Sequence, residues 1–170
     1  LSNLMKDKGI LDLFAAVTIL KSKGTKFHLD IAGAIEPEIK EEVLRYLEIL
    51  GSESTYHGVV TGKDKKRLLF KNYIFCLPTY YANEGQPISI LEAMANGCGI
   101  VTTDLGGIKD IVSEEYGYFA EKQNPENLAD TLLLAMKKSE AGITAWREAS
   151  ALYSEKQFVE RIEGVFLKKV

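Results

Sequence analysis

At 170 residues the chain has the length of about one domain and can bury roughly 70% of its extended surface. Its 46% apolar and 26% charged residues, with only 4 Pro and no low-complexity run, exclude a disordered segment, a collagen-like chain and a disulfide-stapled miniprotein. The 21 basic and 24 acidic residues give a net charge of -3, which argues against a nucleic-acid partner, because a duplex-binding face must neutralise many phosphates. No apolar stretch reaches the length of a membrane span, and no charged-then-apolar leader opens the sequence. A cytoplasmic location is therefore expected, with membrane association left open for the full-length protein. Cys76 and Cys98 lack metal-ligand spacing and lie in or beside apolar runs, the setting of inert core thiols in a reducing compartment.

Leu1 to Gly9 lacks an initiator methionine and runs straight into an amphipathic segment, as expected for a piece of a longer polypeptide. From Gly9 to Leu20, Ile10, Leu13, Phe14, Val17 and Leu20 recur at helical spacing, and Gly24 breaks the pattern. Phe27, Leu29 and Ile31 then alternate with His28 and Asp30 before Ala32-Gly33, which predicts a strand and a turn. Pro37 opens a second helix whose buried stripe is Ile39, Val43, Leu47 and Leu50, stopped by Gly51.

The order repeats with a strand over Ser54 to Val60, a short helix over Asp64 to Phe70 and the unbroken apolar strand Tyr73 to Leu77, a run suited to burial on both faces. After the loop Thr79 to Gln86 come a helix from about Pro87 to Asn96, the strand Gly99 to Thr102, a glycine turn at Gly106-Gly107 and a short helix to Val112. Tyr118 to Glu121 reads as an edge strand. Pro125 to Lys138, Ile143 to Tyr153 and Glu155 to Lys169 read as closing helices, the last with Phe158, Ile162, Val165 and Phe166 on one face.

Such alternation, with connections too long for hairpins, predicts the α/β class: a Rossmann-like, doubly wound parallel sheet with helices on both faces. Ligands of such sheets bind outside the carboxyl ends of the strands. The loops to search are therefore Ser2 to Gly9, Gly33 to Glu36, Gly58 to Lys63, Pro78 to Pro87 and Thr102 to Ile108.

Two apparent nucleotide loops fail. Gly58-Val-Val-Thr-Gly62-Lys63 has three residues between glycines where a phosphate loop has four, and Asp64 stands where Ser or Thr would bind magnesium. Gly97-Cys-Gly99 precedes a strand instead of following one and reads as a helix stop, with Gly97 left-handed. His28 and His57 are isolated in sequence, Trp146 shares a helical face with Ile143 and Ala149 and reads as a packing anchor, and no Asp-x-Asp occurs. Neither a bound metal nor another cofactor is expected.

The remaining constellation runs from Asn83 to Gly97. Glu84 falls in a loop after a buried strand, Gly85 allows close backbone approach, and Pro87 starts a helix whose amides at Ile88, Ser89 and Ile90 would cradle a phosphate. Glu92 follows in the second turn, within an otherwise apolar run. Two carboxylates beside an anion make sense when they accept hydrogen bonds from neutral groups, and sugar hydroxyls fit. A nucleoside diphosphate sugar offers hydroxyls at both ends and phosphates between, and Lys8 would supply the opposing charge.

These residues resemble the carboxyl-terminal, donor-binding half of GT-B fold retaining glycosyltransferases of group 4. Glu84 and Glu92 stand as the ends of that family's Glu-x7-Glu motif, Ala93 to Gly97 as its Ala-Met-Ala-x-Gly, and Thr103-Asp104-Leu105-Gly106-Gly107 resembles its next glycine loop. The resemblance extends from Lys8-Gly9 to about Ala135. It implies that Glu92 holds the ribose hydroxyls, Glu84 those of the donor sugar, the amides around Gln86 to Ser89 the sugar and diphosphate, and Lys8 the diphosphate charge, with Gly85, Gln86, Pro87, Ile88 and Ser89 forming the donor-binding stretch.

Gly33, Val60 and Thr61 are by the same resemblance candidates for the nucleobase contact. Asn3 stands where the family has arginine, and Gly99 where it commonly has proline. The implied reaction moves a sugar from a nucleotide-diphosphate sugar donor to an acceptor hydroxyl, in glycan or polysaccharide biosynthesis, with retained anomeric configuration. Residues 1–170 would be one nucleotide-sugar-binding domain, the sugar or glycan acceptor being held by an absent amino-terminal domain. Two other readings remain: a nucleotide-sugar epimerase of related fold, and a non-catalytic binding domain with a degenerate pocket, for which Asn3 is the argument.

Overall fold

The computed structural model describes residues 1–138, 140–154 and 156–157. Helices and strands alternate as α1 (Ile10–Ser22), β1 (Leu29–Ile31), α2 (Lys40–Leu50), β2 (Ser54–Tyr56), α3 (Gly62–Lys71), β3 (Ile74–Leu77), α4 (Ile88–Ala95), β4 (Gly99–Thr103), β5 (Gly117–Ala120), α5 (Pro125–Lys137) and α6 (Ala141–Leu152). All strand pairs are parallel: β1 with β2, and β3 with β4 with β5, in registers such as Phe75 opposite Ile100 and Thr102 opposite Phe119. The expected closing helix from Glu155, with Phe158, Ile162, Val165 and Phe166, falls largely outside the described residues.

The period-two alternation of a strand builds two cores on opposite faces of the three-stranded sheet. Val101 and Ala120, with Ile74 and Cys76 beside them, pack with Phe14, Val17, Leu128 and Leu132 from α1 and α5. Ile100, Phe75 and Leu77 pack with Ile90, Met94, Ala145 and Ala149 from α4 and α6. Helices thus cover both faces, as the pattern predicts, and every residue of β4 is buried.

The ladder is not continuous. β1 and β3 share no pairing, and the side chains of Leu29, Ile31, Ile74 and Cys76 line an apolar cavity of about 430 Å³ that also receives Leu1 and Tyr118. The segment expected as a loop from Ser2 to Gly9 begins extended: the Ser2 and Leu4 amides donate to the Ala32 and Ala34 carbonyls at 3.1 and 2.7 Å. A single 3-10 turn, Lys6–Lys8, then leads into α1.

Strands are shorter than the apolar patterns. β2 ends at Tyr56, opposite the last residue of β1: the His57 amide makes the final bond to it, to the Ile31 carbonyl at 2.8 Å, and the chain then turns at Gly58 instead of continuing to Val60. Pro37 opens a 3-10 turn before α2, and of the expected stripe Ile39, Val43 and Leu50 are buried while Leu47 is half-buried. Trp146 is not the packing anchor its spacing implied. It is 50% exposed, and the small Ala145 and Ala149 form the face of α6 that meets α4.

Phe14 is fully buried and stacks on Tyr46 with ring centroids 5.2 Å apart. Phe14→Ala should destabilise the fold by about 3–5 kcal/mol, whereas Trp146→Ala should cost less than about 1 kcal/mol. Urea unfolding of the two variants checks this difference.

Candidate functional site

The loops that follow β3 and β4 converge on Glu84. Its Oε2 accepts the Lys8 ammonium at 2.6 Å and the Thr79 hydroxyl at 2.9 Å. The pair is nearly closed off from solvent, with 18% of the Lys8 and 7% of the Glu84 side chain exposed. Lys8 arrives on the 3-10 turn, whose Asp7 carbonyl takes the Tyr80 amide at 2.8 Å, and its ammonium also lies 5.1 Å from the centre of the Tyr81 ring.

Thr79 is held in turn, since the buried Thr103 hydroxyl donates to its carbonyl and its own hydroxyl oxygen accepts the Tyr81 amide at 3.2 Å. From the next loop Gly106, left-handed at φ 53°, presses so close that a Cβ there would sit 2.1 Å from the Glu84 carbonyl oxygen. Only glycine fits that approach.

α4 begins immediately beyond this loop, at Ile88. No side chain caps it. The Ile90 amide, expected to be free, donates to the Pro87 carbonyl at 3.0 Å, because the chain enters through a tight turn at the helix start. The Ile88 and Ser89 amides have no acceptor among the described residues and keep the partial positive charge of a helix start. Around them Pro87 is buried, Ser89 half-buried, and Gly85, Gln86 and Ile88 exposed, Ile88 by 71%. No atom lies within 4 Å of a Cβ built on Gly85, so the space over it is open, while Gly106 makes the close contact between the two loops.

Glu92 does not share a partner with Glu84. Its carboxylate meets the ammonium of Lys65 on α3, with 32% and 30% of the two side chains exposed. Lys65 went unread in the sequence, where Lys63 to Arg67 shows only a charge run; which of those cations faces α4 depends on how the two helices dock. Thr79 and Tyr81 were missed for the same reason, and Gly106, read as part of a glycine loop, gave no sign that it would press on Glu84.

The remaining candidates gather at the β1 and β2 ends. The Gly33 amide donates to the Gly58 carbonyl at 2.8 Å and its carbonyl accepts the Tyr56 hydroxyl at 2.8 Å. Val60 is half-buried and Thr61 exposed, directly before α3. Asn3 is exposed.

The two histidines, isolated in sequence, meet across β1 and β2. Asp30, nearly buried, accepts His57 Nε2 at 2.6 Å and Asn72 Nδ2 at 3.0 Å, with Lys71 at 3.6 Å and His28 at 3.8 Å. Burial alone would raise its pKa, but the His57 and Asn72 hydrogen bonds and the Lys71 charge together lower it below the usual carboxylate value. Burial also pushes the thiols up, Cys76 to about 12 and Cys98 to about 11, the direction that disfavours a reactive thiolate. Among the described residues no group of three or more His, Cys, Asp or Glu is arranged to hold a metal, and no helix is long and apolar enough to cross a membrane.

The sequence pattern of the glycosyl transferases group 1 family matches residues 1–150. The chain belongs to that family. It is 27% identical over 144 residues to the N,N'-diacetylbacillosaminyl-diphospho-undecaprenol alpha-1,3-N-acetylgalactosaminyltransferase of Campylobacter jejuni, covering 84% of this chain and 36% of that protein. The carboxyl-terminal domain of a glycosyl transferase group 1 family protein (LpcC) from Francisella tularensis superposes with a TM-score of 0.76 at 20% identity, over 91% of this chain and 84% of that one.

Anabaena Alr3699/HepE in complex with UDP and glucose superposes with a TM-score of 0.80 at 16% identity, over 96% of this chain and 46% of that one. The fold is that of the carboxyl-terminal domain of GT-B glycosyltransferases. The chain spans less than half the length of the curated relatives it matches.

Removing Lys8 would leave the Glu84 carboxylate buried with one hydroxyl donor. Lys8→Met should therefore cost about 2–3 kcal/mol of stability, and Glu84→Gln in the same chain should restore more than half, read by denaturant unfolding. For Asp30 the folded-state pKa is the lower one, so its contribution is complete above the ordinary carboxyl pKa and lost as pH falls through the depressed value. Asp30→Asn should cost about 1.5–3 kcal/mol near neutral pH and progressively less as a thermal-unfolding series is taken to acid.

Proposed function

We propose that this chain binds a nucleotide-diphosphate sugar and forms the donor half of a retaining glycosyltransferase that builds a glycan or polysaccharide. The observation that carries this reading is the closed Lys8–Glu84 pair set beside a helix start with free amides. A fixed cation and two N–H groups suit a diphosphate, and a carboxylate held in place suits sugar hydroxyls. In this reading Glu84 accepts hydroxyls of the donor sugar, Glu92 those of the ribose, and the nucleobase rests near Gly33, Val60 and Thr61.

Lys8 and the Ile88 and Ser89 amides stabilise the departing diphosphate, whose charge grows as the bond to the sugar breaks. The acceptor, a sugar or glycan, is held by an amino-terminal domain. UDP and glucose in the Anabaena enzyme and the lipid-linked glycan chemistry of the Campylobacter relative's name support the same assignment.

Calorimetric titration with UDP, GDP and ADP tests it. One diphosphate should bind, and Glu92→Ala should weaken it by about 2 kcal/mol, roughly thirtyfold. The 170-residue chain alone should bind without transferring sugar. Absence of binding by all three at millimolar concentration, or sugar transfer by the chain on its own, would contradict the proposal.

A further inference from the structure

The two ion pairs of the site differ in kind. Lys8 and Glu84 are enclosed and each has a further partner, the Tyr81 ring for Lys8 and the Thr79 hydroxyl for Glu84. Lys65 and Glu92 are both partly open to solvent, and neither charged group makes another side-chain hydrogen bond among the described residues. A lysine–carboxylate pair that keeps part of its hydration adds less to stability than an enclosed one, so a ligand hydroxyl can take the place of the ammonium at modest cost. Glu92 lies four residues beyond Ile88 on α4, which is one helical turn, or about 6 Å along the axis. The residue that the Lys65 ammonium meets is therefore rooted about one turn from Ile88 and three residues from Ser89, whose free amides would hold a bound anion.

We propose that Lys65 is an exchangeable counterion. It neutralises Glu92 in the empty site, yields the carboxylate to ribose hydroxyls, and passes its ammonium to the diphosphate one turn away. This rests on the donor-site reading above. Lys8, Glu84, Lys65 and Glu92 sum to zero charge, so without Lys65 the site would meet a diphosphate with a net negative charge. One side chain thus couples the capture of ribose to the capture of diphosphate. A nucleoside alone breaks the Lys65–Glu92 pair and offers the lysine no anion in return, whereas a nucleoside diphosphate supplies one. Lys65 is then the residue that sets preference for the diphosphate over the nucleoside.

The test is titration of the full-length protein with whichever of UDP, GDP and ADP binds and with its parent nucleoside, repeated on Lys65→Ala, Lys65→Arg and Glu92→Ala. Lys65→Ala should weaken the diphosphate about tenfold while the nucleoside binds at least as tightly as before. Lys65→Arg should stay within about threefold of the parent for both, and added salt should weaken the diphosphate less in Lys65→Ala than in the parent. Equal weakening of both ligands would make Lys65 a prop for Glu92 and overturn the proposal, as would no change for either. If Glu92→Ala weakens binding and Lys65→Ala does not, the donor reading stands and the Lys65 role alone falls. If the parent protein binds no diphosphate, both fall.

Discussion

The burial of β4 is the constraint on which the rest hangs. Because every residue of Gly99–Thr103 is buried, strands must flank it and helices must cover both faces, and since its neighbours pair parallel through helical crossovers, the loops that follow the strands gather at the same end of the sheet. At that end the strand's polar residues take over. Thr102 and Thr103 are fully buried, and their hydroxyls can be satisfied only by nearby carbonyls. They donate to Leu77 and Thr79, on the strand and loop next door. The Thr79 hydroxyl in turn fixes Glu84, and Glu84 fixes Lys8. A line of hydrogen bonds thus runs from the hidden centre of the fold to the charge at its mouth, so the carboxylate is set by core packing and not by the loop's own preferences.

That dependence explains which parts of the molecule were legible in the sequence. Periodicity within one segment is a local signal, and it located the apolar face of α1, the unbroken run of β3 and the start of α4 beside Glu84. Lys8 was readable because the fold class brings the loops to one end and only a charge of that sign suits a diphosphate there. Contacts between elements left no local trace. Thr79 is an ordinary loop threonine until Thr103 is placed beneath it, and Asp30 gathers both histidines only because the β1 and β2 register puts it opposite Thr55, with His57 two residues further on. Trp146 shows the converse error. Its helical spacing marked a face correctly as periodic, but the side of α6 packed with α4 is made of Ala145 and Ala149, and the tryptophan is left half exposed on the outer side.

The two lysine–carboxylate pairs also stand in different energetic regimes. A pair shut away from water must be hydrogen-bonded well to offset the loss of hydration, and once formed it is hard to break from one side. Lys8 and Glu84 meet that condition through Thr79 and the Tyr81 ring, so their geometry belongs to the folded state and is present before any ligand arrives. Preorganised charge of this kind contributes most where charge develops during reaction, because nothing has to be reoriented at that moment. Lys65 and Glu92 escape the same penalty by staying partly hydrated, and they gain correspondingly little from each other. Neighbouring carboxylates on one short stretch of chain, Glu84 in the loop and Glu92 in the second turn of the helix, thus differ because one is enclosed by β4 and its loops while the other stays partly hydrated between two helices. Rigidity at the first and exchangeability at the second both follow from that placement.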